Sequence, residues 1–258
     1  MSEEWEFYFT SVNGQLASIL VDVGIRETAP DSNKPWLLRV WTHFHDVEEH
    51  GLPSEAESDA FAEVEETLVA TLTNSLDAVL AGRITTAGRR EFFCYAPSFV
   101  GFEEAMSQCL SRFPDYQWAL DTELDSDWSQ YLNLLYPNPA DWQQIQNRQV
   151  IEQLVQHGDS LEKERMVFHW AYFPNESSRE QFGDEVKRRG FEITDASEEA
   201  SPDEANSFGI GFERIEKVDW ESINQITLEL LELAESLAGT YDGWETTVEA
   251  DAAESDSE

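Results

Sequence analysis

The sequence predicts an α+β protein of two domains, and three observations predict it. Two sets of β-rich and helix-period segments stand on either side of Pro137-Asn138-Pro139. The second set runs helix, strand, helix, strand, strand, helix, strand. Hydrophobic residues make up 41% of the 258, and aromatics 12%, which is enough apolar material for two cores.

Residues 5–12 and 15–25 are β-rich and flank Asn13-Gly14, a dipeptide that suits the two positive-φ positions of a hairpin turn. Residues 30–35 form a loop bounded by prolines, and 36–44 a third strand. Ser54 with Glu57 has the capping-box pattern. Phe61, Val64, Leu68, Leu72 and Val79 then recur at helical spacing. Residues 83–96 are strand-like with a break at Ala87-Gly88, followed by a short helix over 102–113 and a strand over 116–124. This first domain, residues 1–125, is expected to be an antiparallel sheet with two helices. Residues 126–140 are expected to be a connector, because two prolines one residue apart break regular structure and stiffen a joint.

The second domain is expected over residues 141–248. A helix over 141–156 stops at Gly158, and a strand over 164–173 stops at Pro174. Ser177 with Glu180 forms a second capping box. The helix it starts turns Phe182 and Val186 inward, pairs Asp184 with Arg188 and Glu185 with Arg189, and ends at Gly190. A strand over 191–195, a polar loop over 197–206 and a strand carrying Phe208, Ile210 and Phe212 come next. Asp219 caps the last helix, in which Ile223, Ile226, Leu230, Leu233 and Leu237 face inward. Glu229, Glu232 and Glu235 line its flank, and Gly239 is the expected stop. Tyr241-Asp242-Gly243-Trp244 opens the last strand, and residues 249–258 read as a disordered acidic tail.

Without its leading helix this order is βαββαβ. Right-handed crossovers fold it into a ferredoxin-like sandwich: a four-stranded antiparallel sheet with both helices on one face. In the first of these strands Met166, Phe168, Trp170 and Tyr172 share one face, while Val167, Ala171 and Phe173 share the other. Both faces are apolar, so the second needs a cover: the helix over 141–156, the first domain or a partner.

The formal charge is −37, with acidic excess in both halves. Such a chain repels phosphates, which argues against direct nucleic-acid binding, and attracts basic partners, including proteins that themselves bind nucleic acid. Solubility or a salt-adapted host would also account for the charge. Cys94 and Cys109 lie in no CxxC and read as packing residues. No signal-like start and no membrane-length apolar run is present, so the chain reads as cytoplasmic with no membrane contact.

The densest polar cluster is His43, His45, Asp46, Glu48, Glu49 and His50. His and carboxylate ligands suit a transition metal, but no HExxH helix or CxxC pair supports one. A strand end running into a charged loop is the other reading. His157 reads as a helix-end cap, and His169 as a satisfied core histidine. Gly209-Ile210-Gly211 lacks the third glycine of a dinucleotide fingerprint, and no GxSxG elbow occurs. The sequence therefore predicts no catalytic residue, no metal and no cofactor.

Ile151-Glu152-Gln153-Leu154, then Val167-Phe168-His169-Trp170-Ala171-Tyr172-Phe173, the helix over 182–189, Phe191 and Tyr241-Asp242-Gly243-Trp244 form an ordered set. It resembles the RraB family, the regulators of ribonuclease E activity. The first half resembles an uncharacterised domain family that occurs fused to such regulators. The resemblance implies a protein that does no chemistry. It implies binding and inhibition of an endoribonuclease of the ribonuclease E type by protein contact, chiefly through an arginine-rich scaffold region, modulating RNA decay. An acidic partner is suited to such a region.

Stand-alone regulators lack the N-terminal domain, which leaves the target open. An acidic immunity-type inhibitor of another basic nuclease or toxin also fits the charge. A metal-binding protein built on His43, His45 and His50 is the alternative from a different class. Contact is expected around Asp242, Trp244, Glu229, Glu232 and Glu235, with Trp244 as an aromatic anchor and Gly243 in a tight turn. Packing of Tyr241 and Trp244 onto the sheet is the competing reading. The sequence does not set the oligomeric state.

Overall fold

The structure, a computed structural model, describes residues 4–195 and 208–249. The loop expected over 197–206 and the tail beyond 249 lie outside these residues. The chain divides into two compact units, Met1–Asp141 and Trp142–Glu258.

The first unit is built on six strands: β1 (Trp5–Val12), β2 (Gln15–Asp22), β3 (Trp36–His43), β4 (Val79–Thr86), β5 (Arg89–Ala96) and β6 (Trp118–Leu124). They pair antiparallel throughout, in the order β1-β2-β4-β5-β3-β6. Asn13 and Gly14 take φ of 53° and 78°, so the first hairpin has its expected two-residue turn. Ala87 and Gly88, at 52° and 74°, make a second such turn between β4 and β5.

Helix α1 (Glu55–Leu76) starts where Ser54 Oγ accepts the Glu57 N–H at 3.2 Å. It ends where Asp77 turns left-handed at φ 51°, so Val79, expected in the helix, instead opens β4. Helix α2 (Phe102–Leu110) packs beside α1. Phe61, Leu68, Phe92, Phe102 and Met106 share one core on this face of the sheet.

The other face is closed by the stretch expected to be a connector. Trp128 stacks on Tyr95 with ring centroids 3.9 Å apart. Tyr131 and Leu135, in the π-helical turn Tyr131–Leu135, are fully buried. Tyr131 Oη donates to the Asp22 carbonyl at 2.9 Å, and Tyr8 Oη to that of Leu135 at 2.9 Å. The prolines end this cover and lead into helix α3 (Pro139–Gln156).

The second unit carries β7 (Arg165–Phe173), β8 (Glu192–Asp195), β9 (Phe208–Glu216) and β10 (Thr240–Thr246), with α4 (Glu176–Arg188) and α5 (Trp220–Ser236). The antiparallel order β10-β7-β9-β8 is the expected ferredoxin-like one. The N-cap of α4 is Asn175, whose side chain accepts from the Ser178 N–H at 2.9 Å, rather than Ser177. Glu185 takes both Arg188 and Arg189, and the expected Asp184–Arg188 pair gives way to it.

Val167, Ala171 and Phe173 of β7 are fully buried beneath the helices. The Phe173 and Phe182 rings lie 4.9 Å apart, tying β7 to α4. Ile151 and Leu154 of α3 join Val167, Ile223 and Trp244 in one cluster. Helix α3 thus packs on the same face as α4 and α5, and does not cover Met166, Phe168, Trp170 and Tyr172. After α5 it is Ala238, at φ 58°, that turns left-handed. Gly239 has a different reason to be glycine: a Cβ there would stand 2.4 Å from the Phe173 ring and 2.7 Å from the Tyr172 carbonyl oxygen. Among the described residues no helix is long and apolar enough to cross a membrane.

Candidate functional site

Asp219 starts α5 by accepting the Ser222 N–H at 3.0 Å. That bond, with the Ser222 hydroxyl and Lys217, holds its carboxyl below the usual carboxylate range despite burial. Ile223, Leu230 and Leu231 then point into the core. Helical periodicity leaves Glu229, Glu232 and Glu235 together on the solvent side, all exposed. Glu229 lies 3.7 Å from Arg189 and accepts from Gln225 at 3.2 Å.

β10 follows, on the sheet edge. Tyr241 pairs with Ala171 and Gly243 with Trp170, so Asp242 is the extra residue of a β-bulge and is exposed. Gly243, at φ 125°, serves this bulge inside the strand and not the tight turn expected of it.

Trp244 is 8% exposed, and its indole is packed in the core rather than offered as an anchor. Nε1 donates to Asn147 Oδ1 at 2.8 Å. Asn147 is fully buried, and its Nδ2 donates to Asn224 Oδ1 at 2.8 Å and Thr227 Oγ1 at 2.7 Å. Gln143 also donates to Asn147 Oδ1, at 2.9 Å. This ladder ties α3, α5 and β10 together beneath the acidic flank. Sequence reasoning did not single out Asn147, Asn224 or Thr227, because apolar periodicity places only apolar side chains inside; the signal that could have found them was their place four residues or fewer from inward apolar ones.

A second buried group lies on β7. His169 Nδ1 is 2.8 Å from Tyr241 Oη, and Nε2 is 3.3 Å from Glu216 Oε2. Arg214 reaches Glu216 Oε1 at 2.8 Å. Burial, reinforced by Glu216 and Asp242, lifts the Tyr241 phenol well above its ordinary range, so it stays neutral. His169 is fully buried. The group therefore acts as a polar joint inside the core.

A third joint anchors the far end. Arg165 binds both oxygens of Asp159, one at 2.8 Å, and Asp159 also accepts the Glu249 N–H at 2.8 Å. The guanidinium, with backbone N–H groups of Glu249 and Leu161, holds the Asp159 carboxyl far below the usual range. Residue 249, read as the start of the tail, is thus held by the fold.

In the first unit His43, His45 and His50 are exposed and are not brought together. The His45 ring packs against Tyr116 with centroids 4.9 Å apart. Among the described residues no group of three or more His, Cys, Asp or Glu is placed to hold a metal ion. Cys94 and Cys109 are free and buried, and burial pushes the Cys94 thiol up to about 12.

Known proteins resemble each unit. Residues 3–136 match the model of a family of unknown function, DUF695. Residues 144–246 match the family model "Regulator of ribonuclease activity B", RraB. A protein of that description from Shewanella denitrificans is 27% identical over 113 residues, 44% of this chain and 88% of its own length. A crystal structure of an unknown protein from Galdieria sulphuraria aligns with 83% of this chain and 99% of its own at 11% identity. Its TM-score of 0.24 carries no structural argument.

Proposed function

We propose that this chain, which belongs to the DUF695 family through residues 3–136 and carries an RraB domain at residues 144–246, binds an endoribonuclease of the ribonuclease E type and inhibits it. The effect is on RNA decay, through protein contact in the cytoplasm, with no catalysis by the chain itself. The observation that carries this reading is the RraB match, which runs from inside α3 to the end of β10.

Electrostatics support it. A formal charge of −37 steers the chain toward basic protein surfaces and away from nucleic acid. Glu229, Glu232 and Glu235, with Asp242 on the neighbouring strand, supply an exposed acidic contact. The buried Trp244–Asn147 ladder beneath keeps that surface fixed, so little ordering entropy is lost on binding.

Co-elution tests the reading. Mixed with a purified ribonuclease E-type enzyme, the chain should form a complex at low salt on size exclusion. The complex should weaken as salt shortens the screening length to about 8 Å and below. Separate elution at every ionic strength would remove the proposal.

A further inference from the structure

The helix-free face of the second unit's sheet is an aromatic lane set among carboxylates. Along β7, Met166, Phe168, Trp170 and Tyr172 point away from the helices. Opposite them on β9 stand Ile215, Glu213, Gly211 and Gly209 in turn. Glu245 of β10 lies beside Phe168, and Asp195 of β8 beside Gly211. Met166 is 38% and Ile215 62% exposed; Phe168 and Trp170 are half-buried, and Glu245, Glu192 and Asp195 are exposed.

The glycines shape the lane. A Cβ at Gly211 would stand 3.0 Å from Thr194 Oγ1 and 3.5 Å from both Asp195 Cβ and Trp170 Nε1, so glycine there lets the indole and the β8 side chains close over the strand. On the other side of Trp170, a Cβ at its partner Gly243 would meet nothing within 4 Å, which leaves that flank of the indole open.

We propose that this face binds an extended, arginine-rich segment of a basic protein. A guanidinium both stacks on an aromatic ring and takes paired bonds to a carboxylate, which a compact, strongly hydrated ammonium does less well. The chain uses the same pairing internally: the Arg214 guanidinium lies 3.9 Å over the Phe191 ring and 2.8 Å from Glu216. Aromatic groups recur at every second residue of β7. An extended segment with arginine at alternate positions has the same period of about 7 Å. Nucleic acid and anionic lipid are repelled by the charge.

The proposal deepens the reading of the chain as a partner of a basic protein and rests on it. It uses the sheet face opposite the one that carries α5, so the two surfaces are separable.

Fluorescence anisotropy of the full chain tests it, with a short labelled peptide of alternating arginine and serine and its lysine counterpart. The arginine peptide should bind about tenfold tighter than the lysine one. Glu213→Lys with Glu245→Lys should weaken it about tenfold or more. Glu48→Lys with Glu49→Lys, exposed in the first unit and outside both proposed surfaces, makes the same charge change and should leave it within about twofold. Trp170→Leu should lose the arginine preference and Trp170→Tyr should keep it, which separates stacking from mere folding.

Equal affinity for the two peptides, or parent-like binding by Glu213→Lys with Glu245→Lys, overturns the proposal. So does a dimer that this double variant dissociates, because the occupant is then a second copy. Peptide binding without nuclease regulation would remove the functional reading and leave the face. Regulation without peptide binding would do the reverse.

Discussion

Trp244 donates its indole N–H to the buried side-chain oxygen of Asn147, 97 residues earlier in the chain, at 2.8 Å. One bond thereby joins the first helix of the second unit to its last strand. Within the Tyr-Asp-Gly-Trp motif, Tyr241 and Trp244 go inward, and Asp242 is left on the surface.

Asn147→Ala should therefore destabilise the second unit by about 2–4 kcal/mol, because it strands the buried Trp244 and Gln143 donors and two buried acceptors on α5. Chemical unfolding followed by tryptophan fluorescence checks this. A loss below about 0.5 kcal/mol would show that the ladder contributes little.

Asp159 sets an acid limb. Its carboxyl is held below its unfolded value of about 3.9, so its contribution is complete above that pH. It is lost as pH falls through the depressed folded value. Asp159→Asn should cost about 3 kcal/mol at neutral pH, as expected for a broken buried pair, and should flatten the acid limb. Thermal melts of parent and variant from neutral pH downward give both results.

Neighbouring residues after α5 should respond with opposite sign. Gly239→Ala drives a methyl into the Phe173 ring and the Tyr172 carbonyl and should cost about 2 kcal/mol or more. Ala238→Gly relieves a left-handed alanine and should gain about 0.5–1 kcal/mol. Melting temperatures that move in the same direction would contradict this account of the helix end.

Glu229→Lys with Glu232→Lys should leave the fold intact, since both side chains are exposed and the bonds of Glu229 to Arg189 and Gln225 are surface ones. Binding to the nuclease should fall about tenfold. A double variant that melts like the parent and binds as tightly would place the contact off this flank.

Much of the fold was legible in local chemistry. Asn13-Gly14, Ser54 and Asp219 act as their turn and cap patterns require, and the βαββαβ order is the one found. The failures share a cause, which is long-range packing. Residues 126–140 read as a connector because Pro137 and Pro139 are conspicuous, yet Tyr131 and Leu135 find a sheet face to bury against. Gly239 passed for a helix stop because its real constraint, the Phe173 ring, lies 66 residues away. For the site, the exposed carboxylates of α5 followed from helical period. The burial of Trp244 depended on Asn147, which nothing in the local sequence marks.

The most direct measurement is the rate at which a ribonuclease E-type enzyme cleaves a defined RNA as the purified chain is titrated in. Inhibition by protein contact predicts a saturable fall in rate that tracks complex formation and weakens with salt. An unchanged rate at saturating chain, with the enzyme active and the chain folded, would contradict it.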